Sequence, residues 1–409
     1  MNYNQETNDS HWEKWGTVMF LAYCVSTIFM VFFSTTAVQI WPYPWNKLTI
    51  LVACLLPLLL VLVWRIPAWI YHKQFQKEFY FALTIVILGI LNIVFSENQP
   101  TTLKVMGLFL ISGIGIFAVT SCLLTIKFRK TIFLWLCWVI LLALCIYGTL
   151  EYVNKKPILL LSFNPIPAGS LLILLFVGPF LLFSSSSWWL RFLQLSSIVF
   201  GVVVIVMIGK RGPILGLLVM AILFGILVPG RRFWIFPLIA LILVGTGYKM
   251  RNHLPPTLRL DLISHESTIF RLENYFLASH IFLKKPLFGI GLHAPLADYL
   301  KDYHQKITNN TKYPNFIKDK KTLENTILCG FVEMGGLFSI TYIALIIYLL
   351  KNLFHGIKDN PAKRLQAVLF LIPLAGFLIH SMTFDSLIYP HLNWLFHSFL
   401  GLMANFDKI

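Results

Sequence analysis

Residues 189–229 read WLRFLQLSSIVFGVVVIVMIGKRGPILGLLVMAILFGILVP. Two apolar runs, 189–208 and 212–229, flank a short basic turn at Lys210 and Arg211. Each is close to the roughly 20 residues that a helix needs to cross a hydrocarbon core of about 30 Å. A membrane β-strand would alternate apolar and polar residues over about ten positions, and these runs do not alternate. The stretch therefore predicts a helical hairpin through a membrane.

Outward from this hairpin the pattern repeats. Candidate spans lie at about 15–35, 47–66, 79–95, 103–122, 131–150, 166–184, 189–208, 212–229, 232–248, 325–350, 366–383 and 390–406. Hydrophobic residues make up 57% of the chain and charged residues 12%, half the roughly 25% of a soluble domain. The expected fold is an all-α polytopic membrane protein of about twelve transmembrane helices, with a large, partly helical outer loop between the ninth and tenth. Its divisions are a polar N-terminus at 1–14, spans at 15–248, the loop at 249–324, and further spans at 325–409. The first apolar run exceeds the 7–15 residues of a signal-peptide core, so it reads as an uncleaved helix.

The formal charge of +16 does not point to nucleic acid, because the basic residues sit in the joints between apolar runs. There they set orientation. With the N-terminus in the cytoplasm, Lys127, Arg129, Lys130, Arg191, Lys351, Lys363 and Arg364 all fall inside, and both termini are cytoplasmic. Lys210 and Arg211 then lie outside, against the rule. Two readings stand for them: side chains reaching the interface, or an anion site at the outer surface. The six cysteines form no C-x-x-C pair and read as small packing residues, with no metal site.

The outer loop contains STIFRLENYFLASHIFLKKPLFGIGLHAPLADYL, residues 267–300. Phe270, Tyr275, Phe276, Ile281 and Phe282 recur at helical spacing, which predicts an amphipathic helix ended by Lys285-Pro286. Gly289-Ile290-Gly291 reads as a turn, since a glycine pair alone is a weak phosphate signal. The basic stretch from Lys301 to Lys321 reads as either a mobile lid or a solvated face. The tenth span opens LENTILCGFVEMGGLF, with Glu324 at its mouth, where a carboxylate suits the helix dipole. Glu333 is expected about 13 Å deeper along that helix, as a functional or helix-packing carboxylate, and turned away from Glu324. His380, Asp385 and His391 surround the last outer turn and could line the same cavity.

A basic pair at an outer turn (KRGP), an arginine opening an outer helix (FRLENYFLASHIFLKKPLFGIGL) and an EN…E-x-G-G helix start occur in this order between Val202 and Leu345. Together they resemble the O-antigen ligase and O-antigen polymerase family. The resemblance implies a metal-independent, inverting glycosyltransferase of the bacterial inner membrane, without a cofactor. Its donor would be an undecaprenyl-diphosphate-linked glycan, its acceptor lipid A core or another lipid-linked glycan, and its site periplasmic, among membrane lipids. It implies that Arg211 and Arg271, assisted by Lys210, bind the diphosphate. It implies catalytic roles for Glu324 and Asn325 on the acceptor side. Where such ligases carry His-Asn, this chain has Glu324-Asn325. A glutamate is a weaker base, so either Glu324 is desolvated or another group, with His280, His293 and His304 at hand, takes the proton. The alternative from another class is a transporter or flippase of a lipid-linked glycan or other anion, using the same arginines.

Overall fold

The computed structural model describes residues 15–32, 76–160, 164–182, 187–228, 265–296, Tyr299, 323–356 and 361–406. Every regular element among them is a helix. We number them α1 (Trp15–Phe32), α2 (Gln76–Val94), α3 (Gln99–Leu123), α4 (Lys127–Val153), α5 (Pro165–Leu182) and α6 (Trp188–Ile208). They continue as α7 (Arg211–Leu227), α8 (His265–Lys284), α9 (326–334), α10 (Gly336–Gly356), α11 (Pro361–Ser381) and α12 (Pro390–Ala404). Eight of the described helices are long and apolar enough to cross a membrane, α7 being a shorter apolar one. The expected spans at 47–66 and 232–248 lie outside the described residues, as do 1–14 and 301–321.

α12 is the axis of the bundle. Every residue from His391 to Met403 is buried, although the run contains two histidines, an asparagine and a serine. Buried polar groups must be paired, and each neighbour supplies a partner. Tyr23 of α1 donates to Ser398 Oγ at 2.7 Å, and Trp394 Nε1 donates to Thr27 Oγ1 at 3.1 Å. Against α3, Asn393 Nδ2 donates to Phe109 O and Ser112 Oγ. Phe109 O is available because the next residues, Leu110–Gly115, form a π-helical turn, which frees a carbonyl from the regular ladder. His397 stands 2.9 Å from Tyr342 Oη of α10.

α7 and α11 run antiparallel at close range. A Cβ on Gly216 would lie 2.8 Å from Gly376 O, and one on Gly376 2.9 Å from Gly216 O. Small residues that let two backbones meet are the usual contact between membrane helices. This register brings the start of α7 to the end of α11, where Gly212 packs on His380 and Thr383.

The two ends of the bundle are distinct. At one end Lys130 Nζ donates to Asn405 O at 2.8 Å, and Arg129 reaches Thr17 Oγ1 at 3.4 Å. The start of α1, the start of α4 and the end of α12 thus share one end. Lys210, the 286–296 segment, Leu323–Asn325 and the 382–389 turn gather at the other.

One boundary differs from expectation. The span expected over 325–350 is not a single helix: α9 is a short α-turn, Thr326–Cys329, followed by a π-helical turn, Gly330–Met334. Gly335, with φ +90°, breaks the chain before α10. Glu333 consequently precedes the membrane span instead of sitting deep within it.

Candidate functional site at the outer turn

The basic turn forms as its sequence dictates. Gly209 takes the left-handed conformation that ends α6, with φ +68°, as a glycine cap does at low cost. Lys210 is the N-cap residue of α7 and Arg211 its first residue. Arg211 is partly buried and Lys210 exposed. Both therefore stand at the positive end of a helix dipole, where an anion would be favoured. Beneath them is the last turn of α11.

The start of α9 docks on the same place. Asn325, buried, accepts from Ile327 N at 2.9 Å and Leu328 N at 3.1 Å, so it and not Glu324 caps this helix. Its Nδ2 donates to Met382 O at 2.8 Å and lies 3.5 Å from Tyr275 Oη. Thr326 Oγ1 donates to Phe384 O at 3.2 Å and contacts Asp385 Oδ1 at 3.3 Å, and it accepts from Ser386 N. Glu324 is exposed, with φ +50°. This left-handed backbone at a non-glycine residue costs about 1–3 kcal/mol and clusters at ligand clamps and switches.

The helix expected over the 267–300 segment is present as α8, which ends at Lys284 just before Pro286. It is held to the α9 start by Asn274, whose Nδ2 donates to Leu323 O at 2.9 Å. Arg271 lies one turn before Tyr275, on the same face, and is exposed. The starts of α7 and α9 thereby meet one turn, 382–389, through Gly212 and Asn325, and α8 approaches Asn325 through Tyr275. His280 is turned about 140° from Tyr275. His304 lies outside the described residues.

The Gly289-Ile290-Gly291 turn has a different partner from a phosphate. Ile290 N and Gly291 N donate to Val332 O and Glu333 O, and Gly336 N donates back to Pro286 O. Gly289 (φ +70°) and Gly335 (φ +90°) face each other so closely that a Cβ on Gly289 would meet Glu333 O at 2.5 Å. Two glycines are required because two backbones touch. Gly335 and Gly336 make close contact with this loop, and Gly336 also with Phe282 of α8. Glu333 Oε2 accepts from His293 N at 2.9 Å, and Asn92 Nδ2 donates to Phe288 O and Glu333 O. Burial holds the His293 imidazole below its ordinary range. A further anchor joins Lys285 to Glu97 at 3.3 Å, with Tyr299 also bonded to Glu97.

Below the outer turn is a cavity of about 350 Å³, within the roughly 300–1,000 Å³ of small-molecule sites. Its walls are apolar side chains of α3 and α10, such as Val105, Leu108, Ile343, Ile346 and Ile347. Ile347 is 59% exposed on the outside of the bundle, so the cavity reaches the lipid-facing surface. Its few polar linings include Ser112, Tyr342 and Asn393, with Thr326 and Asp385 at the outer end. Asp385 is buried, and burial pushes its carboxyl up to about 6. Among the described residues no three His, Cys, Asp or Glu side chains gather as metal ligands would.

Sequence reading named Asp385 only by its position in the chain and missed Thr326, Tyr275 and Asn92 as site-building residues. Asn92, a lone amide in an apolar run, was the one such signal available. Thr326 and Tyr275 look ordinary until tertiary contacts are known. Residues 196–336, roughly a third of the chain, match the family model described as O-antigen ligase. The match overlaps the stretch from Val202 that carried the resemblance and supports it. A comparison with curated proteins gives no match.

Proposed function

For a polytopic membrane chain whose residues 196–336 match the O-antigen ligase family, we infer a glycosyltransferase of polysaccharide assembly. It moves a glycan from an undecaprenyl-diphosphate carrier to a sugar hydroxyl at the periplasmic face of the inner membrane. The acceptor is lipid A core or another lipid-linked glycan. What supports this is that Gly212, next to Arg211, packs on His380 and Thr383, and that Asn325 bonds Met382 O with Tyr275, one turn after Arg271, 3.5 Å away, above an apolar cavity that reaches the lipid face. A polyprenyl diphosphate has that same division, an apolar chain ending in a dianionic head.

In this reading the chain lies along the α3–α10 walls and the diphosphate rests on the α7 N-terminus. Arg211 and Arg271 hold its oxygens in bidentate fashion, and Lys210 adds charge. Their larger role comes in the transition state, when the bond from the anomeric carbon to the diphosphate breaks and charge collects on the leaving oxygen. The acceptor hydroxyl attacks from the opposite side, so a single displacement inverts the anomeric centre, with no metal or cofactor. Glu324, in water at the mouth, orients the acceptor. Asn325 positions α8 and α9 about the turn.

The test replaces each arginine in host cells lacking the wild-type gene. R211A and R271A are expected to lower surface-glycan assembly by about 10²–10³-fold at matched protein levels, as loss of a transition-state donor does. R211K should recover part of it, because lysine supplies charge without the planar fork. Full assembly in both alanine variants overturns the reading.

A further inference from the structure

We propose that Asp385 accepts the proton of the attacking hydroxyl, and that it rather than Glu324 is the base of the transfer. This rests on the glycosyltransferase reading above. Three observations lead to it. Glu324 is exposed, at the mouth and outside the cavity lining. Asp385 is buried and lines the outer end of the cavity, where the donor's head and chain would meet. Its turn is also the point on which the α7 and α9 starts dock, two residues from Thr383, which packs on Gly212.

The surroundings of Asp385 suit a proton acceptor. From α9 it faces Thr326, Cys329 and Glu333, and from its own turn Tyr389. None of these is a cation that would hold the carboxylate as a passive ion pair. Thr326 Oγ1 fixes one oxygen and is itself fixed by Phe384 O and Ser386 N. A carboxyl that titrates near the working pH combines availability with basicity, and burial moves Asp385 in that direction. His293, the other partly buried candidate, is tied through its backbone to Glu333, and burial lowers its imidazole, which makes it the poorer proton acceptor.

The step balances as follows. The acceptor O–H bond breaks and its proton passes to an Asp385 carboxylate oxygen. The oxygen's electron pair forms the new bond to the anomeric carbon. The old carbon–oxygen bond breaks, and its pair leaves with the polyprenyl diphosphate, held by the arginines. Asp385 then returns the proton to water.

Purified protein in lipid vesicles is supplied with lipid-linked glycan extracted from host cells deleted for this gene. D385N is expected to lower kcat by about 10²–10⁴-fold while binding of undecaprenyl diphosphate persists. The wild-type rate should fall as pH drops below about 6, a limb absent from the residual D385N rate, and D385E should restore part of the activity. E324Q should act on acceptor KM more than on kcat. The proposal is overturned if D385N stays within a few-fold of wild type, or if it loses undecaprenyl diphosphate binding along with activity, which marks a structural role. Wild-type protein that transfers no glycan fails the enzyme reading itself, and this proposal with it.

Discussion

At the scale of the residue, Asp385 and Gly335 make different demands. A buried acid whose folded value, about 6, lies above its unfolded value near 3.9 costs stability wherever the unfolded chain ionises first. Below about pH 4 both states are protonated and Asp385 contributes no penalty. The penalty grows as pH rises from about 4 to 6 and is constant above. D385N removes it. The difference in melting temperature between D385N and wild type should therefore favour the variant increasingly over that window and level off above it. A difference flat with pH would show that Asp385 is not shifted. At Gly335 the constraint is steric: φ is +90° and a Cβ would run into Leu287 O. G335A should lower stability by about 1–3 kcal/mol, visible as an earlier thermal midpoint in detergent.

At the scale of the element, the segment 286–293 is held by main-chain contacts with α9 together with the burial of Ile290 and Leu292. Asn92 is its single deepest peg, donating to both Phe288 O and Glu333 O. Replacing it by leucine takes the side-chain donor from Phe288 O, at about 1–3 kcal/mol, while Glu333 O keeps Gly291 N. N92L should raise hydrogen exchange across 286–293 and 330–336 and leave exchange within α12 unchanged. Uniform protection across both regions would remove Asn92 from this role. The helix, its stop before Pro286 and the tight basic turn were legible in the sequence, but not the buried face of that helix, since Tyr275 and Phe276 are exposed while Asn274, Leu277, Ala278 and Ile281 are buried. The break between α9 and α10 was not, because E-M-G-G inside an apolar run reads as helix with small residues. What opens that helix is the backbone of Gly289, forty-six residues earlier in the chain.

At the scale of the whole molecule, the bundle has two ends, and the count of basic residues in the short joints proposes which one faces the cytoplasm. Cysteines introduced at Lys210 or Lys285 in a cysteine-free chain should react with an impermeant maleimide added to spheroplasts. One introduced at Lys127 should react only after the membrane is opened. Labelling in the reverse order would invert the topology and separate the arginines from any periplasmic substrate. The close α7–α11 contact extends the same logic. G216L would push α7 away from Gly376 and should reduce glycan assembly, since Arg211 rides on α7.

Composition and apolar run length determined the class of fold by themselves, because a bilayer leaves few backbone solutions and each demands about 20 apolar residues. The basic joints set an expected orientation, and three short motifs carried the family resemblance. Tertiary structure alone brought the starts of α7 and α9 to one turn. Whether Arg211 meets Arg271 depends on the α7–α11 register and on Asn325 joining two helices to one turn. Those are contacts between residues from about 50 to 170 positions apart, formed by side chains whose types are common throughout the chain. Hydropathy records only how each segment meets lipid. It carries no record of which segments meet each other, and for that reason Asp385 became a candidate base only when the cavity beneath its turn was in view.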